Sequence, residues 1–217
     1  MQRRSLMQGV LGSVGLMLTS LPLRAEDVQD PYDWVVGVSN GILDAIRADV
    51  RLQQGNQDAL QELVDRYIMP NVDFPMITRM TVGPRWRQAT PEERIRLQKG
   101  FEKLLMRVYS GALKTVKDNV CELRPTRNRR VSDELVVRTL LKSTGSQDIA
   151  LDYRIYRNKR QNAWKIVDVN VEGIWMVENY RAQFASTLSN DGIQGLIKLL
   201  EEKSEEIVKT NKPAIAG

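Results

Sequence analysis

The sequence predicts an α+β domain in which helices pack on one face of a curved antiparallel sheet. Three observations carry this. Apolar residues recur every three or four positions from Pro31 to about Lys117. The period then drops to two, with turn-forming stretches between short runs. After Gly173 the helical spacing returns and holds into the C-terminal region.

Residues 1–25 read as a leader rather than as part of that fold. Arg3 and Arg4 make a basic start, Leu6 to Leu21 is apolar or small, and Pro22 breaks the run ahead of Ala25 at the cleavage position. The apolar run is shorter than the ~20 residues that cross a bilayer, so a cleavable secretory signal peptide is the expectation. Gln2-Arg3-Arg4-Ser5-Leu6-Met7 also resembles a twin-arginine signal, and the Sec and twin-arginine routes both stay open. Cleavage removes three arginines and no acid, so the formal charge of +5 falls to +2. That leaves little electrostatic case for nucleic-acid binding. One domain is expected over residues 26–209, with a disordered tail at 210–217.

Asp30-Pro31 opens the first helix, with Asp as cap and Pro at the first position, and Val35, Val38, Ile42 and Ile46 keep its register towards Gly55. A second helix follows Asn56, carries Leu60, Leu63, Val64 and Tyr67 on one face, and ends at Pro70. Asp73 caps a short third helix that stops at Val82-Gly83-Pro84. Thr90-Pro91-Glu92-Glu93 is a capping-box signature. The helix it starts has Leu97, Phe101, Leu104, Leu105, Val108 and Ala112 on one stripe and should reach about Lys117.

About four consecutive antiparallel strands follow. A short one lies near Val120 to Arg124. Leu135, Val137, Thr139 and Leu141 then alternate with Val136, Arg138, Leu140 and Lys142, as Ile149, Leu151, Tyr153 and Ile155 do with Asp152, Arg154 and Tyr156, and a fourth run begins near Trp164. Ser143 to Ser146 and Asn158 to Asn162 supply the turns. One face is apolar and the other polar and basic. Gly173 makes a corner into a helix bearing Val177, Tyr180, Phe184 and Leu188. Ser189-Asn190-Asp191 caps the last helix, lined by Ile193, Leu196, Ile197, Leu200 and Ile207, with Glu201, Glu202, Glu205 and Glu206 outside.

The chemistry on offer is sparse. The chain has no histidine, which excludes Ser-His-Asp and Cys-His mechanisms and the usual zinc sites. Cys121 is the one cysteine, so no internal disulfide forms. Asp152 and Asp168 fall on adjacent strands as a conceivable carboxylate pair, although alternation turns the nearby Tyr153 to the opposite face. A basic cluster, including Arg127, Arg130, Arg138 and Arg154, suits anionic headgroups or an acidic partner, and serves equally as a solvated sheet face. Aromatic and methionine residues on the helices suit either a pocket for a flexible ligand or an ordinary core.

Val72-Asp73-Phe74-Pro75-Met76-Ile77, then Val82 to Thr90, then Val171-Glu172-Gly173-Ile174 with Asn179-Tyr180-Arg181 and Gln183-Phe184, resemble the MlaC family, also called the Ttg2D or toluene-tolerance family. The likeness spans essentially the whole chain after the leader. It implies a periplasmic phospholipid carrier with an NTF2-like fold. Such a carrier is the binding component of an Mla-type ABC system, moving glycerophospholipid between an outer-membrane lipoprotein–porin complex and an inner-membrane transporter. It implies a monomer with phospholipid as cargo, no cofactor and no catalytic motif. An NTF2-like periplasmic enzyme and a structural interaction protein without lipid are the alternatives.

A carrier needs an apolar cavity between helices and sheet. The expected walls are Phe74, Ile77 and Met80 from the third helix and Phe101, Leu104, Leu105 and Val108 from the capped one. Leu135, Val137, Leu151, Tyr153 and Ile155 would face them from the sheet, with Ile174, Met176, Tyr180 and Phe184 closing the end.

Overall fold

The computed structural model describes residues 29–126 and 129–210, with side chains as far as residue 203. The leader, Arg127, the tail after residue 210 and the side chains of Glu205, Glu206 and Ile207 lie outside the described residues.

Helix α1 (Pro31–Ala48) starts where the Asp30 carboxylate accepts the amides of Tyr32 and Asp33. Asp49 then takes extended backbone and caps a separate turn, α2 (Val50–Gln53). Asn56 caps α3 (Gln57–Leu63), which widens into a π-helical turn over Val64–Ile68. Helix α4 (Phe74–Val82) is capped by Asp73, and its buried Thr78 and Thr81 hydroxyls donate back to the Phe74 and Ile77 carbonyls. After a 3-10 segment (Gly83–Gln88), α5 (Pro91–Leu113) begins with both halves of the Thr90–Glu93 capping box formed. It ends short of Lys117, where Thr115 turns its hydroxyl onto the Ala112 carbonyl and competes with the helical ladder.

The sheet is an antiparallel meander of five strands, β1 (Val120–Leu123), β2 (Glu134–Lys142), β3 (Ile149–Asn158), β4 (Ala163–Val171) and β5 (Ile174–Trp175). The fifth strand exceeds the sequence expectation, and Glu172 and Gly173 explain it. Both have positive φ, 51° and 90°, as a two-residue type I′ hairpin requires, so the chain doubles back before helix begins. Ile174 pairs with Val171, and Trp175 with Asn170. Helices α6 (Met176–Asn190) and α7 (Gly192–Thr210) follow. A bulge shifts the β3–β4 register. Arg154 opposes Asp168 while Ile155 opposes Ile166, which leaves Val167 without a partner across the ladder.

Packing divides among three centres. Helix α1 covers the sheet through Tyr32 and Val35 against Val137, Tyr153, Ile155 and Trp164. Helix α3 and the first part of the π turn close the β1 end around Cys121. Helices α4 to α7 build the largest centre, in which the Phe101 ring lies 5.1 Å from Tyr180 and 5.7 Å from Phe184, both edge-on. Gly100 lets α5 and α7 approach, since a Cβ there would sit 2.8 Å from that of Leu200. Residues 71–73 run beside β4, bonded through the amide and carbonyl of Ile166, and hold the end of α4 against the sheet.

Candidate functional site

Where these centres meet, the packing leaves an apolar cavity of about 260 Å³. The wider π turn brings Val64, Ile68 and the following Met69 to one wall. Phe74 and Ile77 come from the start of α4, with Val72 beside them. Helix α5 contributes Leu105, Met106, Tyr109 and Leu113, and β4 forms the floor with Ile166 and Val169. Met176, the first residue of α6, closes the end. Two carboxylates join this lining, Glu102 and Asp168. Glu102 accepts a hydrogen bond from the Gln61 amide at 3.3 Å.

Asp168 ties the cavity to the corner that follows it. Its side chain is 1% exposed. One oxygen accepts the amides of Val169 at 2.9 Å and Val177 at 3.0 Å, and the other accepts from Arg154 at 3.2 Å. The Val177 amide belongs to the first turn of α6, whose own flanking residue Trp175 has no capping oxygen. A carboxylate on β4 therefore caps a helix that starts after the hairpin. Arg154 lies over the Trp175 ring at 4.4 Å and holds the outer side of the same corner. Burial pushes the Asp168 carboxyl above the usual carboxylate range, against the opposing pull of the Val177 amide, Arg154 and the Val169 amide.

Of the residues expected to form a pocket, Phe74, Ile77, Leu105 and Met176 line this cavity. Phe101, Leu104, Tyr180 and Phe184 are buried in the helical centre beside it, and Met80 packs against them. Burial pushes the Tyr180 phenol up from its ordinary value. Val137, Tyr153 and Ile155 face α1 instead, with Leu135 and Leu151 at the margin of that cluster. Tyr153 accepts a hydrogen bond from buried Ser39 at 2.9 Å, and its burial likewise pushes the phenol up. Val108 and Ile174 are exposed. Helix α1 thus takes the middle strands and Trp164 of β4, while Ile166 and Val169 farther along β4 also border the cavity. The π turn and β4 are the walls that sequence reading missed. Regular helical spacing conceals the first, and the bulge at Val167 disturbs the alternation of the second.

The residues 37–202 match the family described as MlaC protein. The chain belongs to the MlaC family. A curated relative from Pseudomonas putida, the toluene tolerance protein ttg2D, is 26% identical over 200 residues, 92% of this chain and 91% of its own. The intermembrane phospholipid transport system binding protein MlaC of Haemophilus influenzae is 18% identical over 84% of this chain and 86% of its own. A solved phospholipid-binding protein from Ralstonia solanacearum, in complex with a phospholipid, superposes with a TM-score of 0.77 at 35% identity, across 82% of this chain and 99% of that one.

In this MlaC chain the basic residues are not gathered at the cavity. Arg138 stands exposed on the outer face of β2, where with Tyr32, Leu123, Arg124 and Val136 it borders a separate, polar recess of about 300 Å³. Arg130 offers its carbonyl to the Tyr32 hydroxyl at 3.0 Å, and Arg154 is engaged by Asp168 and Trp175. The two carboxylates of the conceivable pair have separate partners. Asp152 opposes Asn170 and faces Arg124 at 3.6 Å, while Asp168 opposes and binds Arg154. Tyr153 is on the other side of the sheet, as alternation requires.

Proposed function

We propose that this chain is a periplasmic carrier of glycerophospholipid, the binding component of an Mla-type transport system, and that it holds acyl chains in the cavity between α4, α5 and β4. The observation that carries this reading is the apolar cavity, in a chain whose fold matches that of a relative solved with a phospholipid. Each buried methylene contributes ~0.8 kcal/mol relative to water, so a hydrocarbon-lined cavity makes leaving a bilayer nearly isoenergetic for the tails. The headgroup stays at the mouth in solvent, where it keeps its hydration. Recognition by tails favours broad headgroup tolerance.

In this reading Phe74, Ile77, Leu105 and Met176 touch the tails, and Phe101, Tyr180 and Phe184 brace the walls that do. Residues 1–25 direct export and are removed. The mature monomer exchanges cargo with an outer-membrane lipoprotein–porin complex and an inner-membrane ABC transporter. Lipid extraction and native mass spectrometry of the mature protein test the core of the proposal. A one-to-one phospholipid adduct is expected. A protein that neither co-purifies with phospholipid nor takes it up from vesicles would sink the carrier reading.

A further inference from the structure

We propose that the open edge of β2 at Val136 is a docking site for an extended acidic segment of a partner protein, which adds to the sheet there as a short strand. The site stands apart from the phospholipid reading, since the recess beside it shares no lining residue with the apolar cavity. The first ground is the backbone. Alternate residues of an interior strand turn their N–H and C=O groups to opposite neighbours. The Arg157 amide donates to the Asp133 carbonyl, so Asp133, Leu135 and Val137 bond towards β3. The Arg138 carbonyl accepts the Arg124 amide instead, and Val136 faces the same way. Strand β1 ends at Leu123, opposite Thr139, and the chain leaves the ladder after Arg124. Val136 is left with no strand on that side, and its N–H and C=O have no hydrogen-bond partner among the described residues. Open edges invite pairing, and folded proteins close them. Two other free stretches of this sheet are closed. Cys121 bonds both its backbone groups to the Asn40 side chain, at 2.8 and 3.0 Å, and Ile166 bonds both of its own to residues 71 and 73 at 2.9 Å. The Glu134 carbonyl, two residues before Val136, is taken by the Ser132 hydroxyl. The gap at Val136 stands out against that pattern.

The second ground is charge. The gap adjoins the polar recess, where Tyr32, Leu123, Pro125 and Val136 are joined by Arg124 and Arg138. Arg138 is exposed and makes no ion pair among the described residues. The Nε of Arg124 donates to the Thr139 carbonyl at 3.3 Å, which fixes the guanidinium, and Asp152 at 3.6 Å is too far to accept a hydrogen bond from it. Asp152, which opposes Arg138 in the β2–β3 register, offsets one of these two charges and leaves the other unmatched. Two arginines beside an unpaired N–H and C=O repel a second copy of the same edge and attract a strand that carries carboxylates. A strand laid along β2 sets one side chain beside Val136, which is 38% exposed, and another beside Arg138, two residues along on the same face. An aliphatic residue suits the first position and an aspartate or glutamate the second. Main-chain bonds give such an added strand its affinity, and the alternate side chains give it selectivity.

The test selects random peptides displayed on phage against the purified protein. Enriched sequences are synthesised and titrated by fluorescence anisotropy against wild type, Val136→Pro and Arg138→Gln. Proline at position 136 deletes the edge N–H without touching a bond to β3, as edge strands tolerate. Enriched peptides should carry an acidic residue two places from an aliphatic one. They should bind Arg138→Gln about tenfold more weakly, the loss of one charge-assisted contact, and Val136→Pro not at all. In wild type the Val136 amide should exchange freely with solvent by NMR and become protected when the peptide binds, a readout that needs no variant to fold. A library that yields no binder, binders without acidic residues, equal affinity for Val136→Pro, or an amide at 136 that the peptide leaves unprotected overturns the proposal. A wild-type dimer seen by light scattering, with the Val136 amide already protected in it, gives the edge to a second copy and overturns it as well.

Discussion

Asp168 is the place where one atom's role can be separated from its charge. Asp168→Ala removes the acceptor for the Val177 amide, which is buried with its residue. Stranding a buried donor costs ~1–3 kcal/mol, and the ion pair to Arg154, whose side chain is 45% exposed, adds at most ~1 kcal/mol after screening. A total of about 2 kcal/mol follows, a fall of roughly 4–8 °C in the melting midpoint for a domain of this length. Asp168→Asn keeps an oxygen at the same position and drops the charge that burial disfavours. Because the folded-state carboxyl is raised, the wild type is favoured at low pH. It loses stability relative to the Asn variant as pH climbs from the unfolded value of ~3.9 through the folded one. The Asn variant should therefore match the wild type near pH 4 and be at least as stable at pH 7. Urea unfolding of the three proteins at both pH values decides the matter. If Asn is as damaging as Ala at pH 7, the charge holds the corner and the capping argument fails.

Three further outcomes are expected. Gly100→Val presses a branched side chain against Leu200, which a bare Cβ already meets at 2.8 Å, and should cost ~1–3 kcal/mol by urea unfolding; an unchanged midpoint would show that α5 and α7 separate freely. Leu105→Gln puts an amide into the cavity wall, where burying it against hydrocarbon costs ~1–3 kcal/mol. Phospholipid retention in a vesicle-exchange assay should drop roughly 10- to 100-fold with native circular dichroism intact, and undiminished retention would place the tails elsewhere. Tyr153→Phe removes the acceptor of the Ser39 hydroxyl and should lower the melting midpoint by ~2–4 °C, about 1 kcal/mol. The raised Tyr153 phenol favours the folded state below the unfolded tyrosine value of ~10, and that contribution is lost above it. The wild type should therefore lose its advantage over Phe in alkaline buffer.

The sequence by itself determined the order and kind of the elements, because those depend on neighbours a few residues apart. Asp30-Pro31, Asp73 and the Thr90–Glu93 box start their helices as read, since each cap bonds amides within three residues. Alternation likewise gave the strands their faces, and local motifs carried the family likeness. The tertiary structure decided what those apolar faces are for. Val137, Tyr153 and Ile155 have the pattern of a pocket wall, yet α1 lies over them; a face records that it is buried, not which element buries it. The fifth strand needed two consecutive positive φ values, and the π turn one wider helical turn, both below the resolution of spacing. Asp168 read in sequence as one half of a carboxylate pair. Its work is set by Val177, nine residues on, and by Arg154 across the strand, partners that only the folded chain brings within hydrogen-bonding reach.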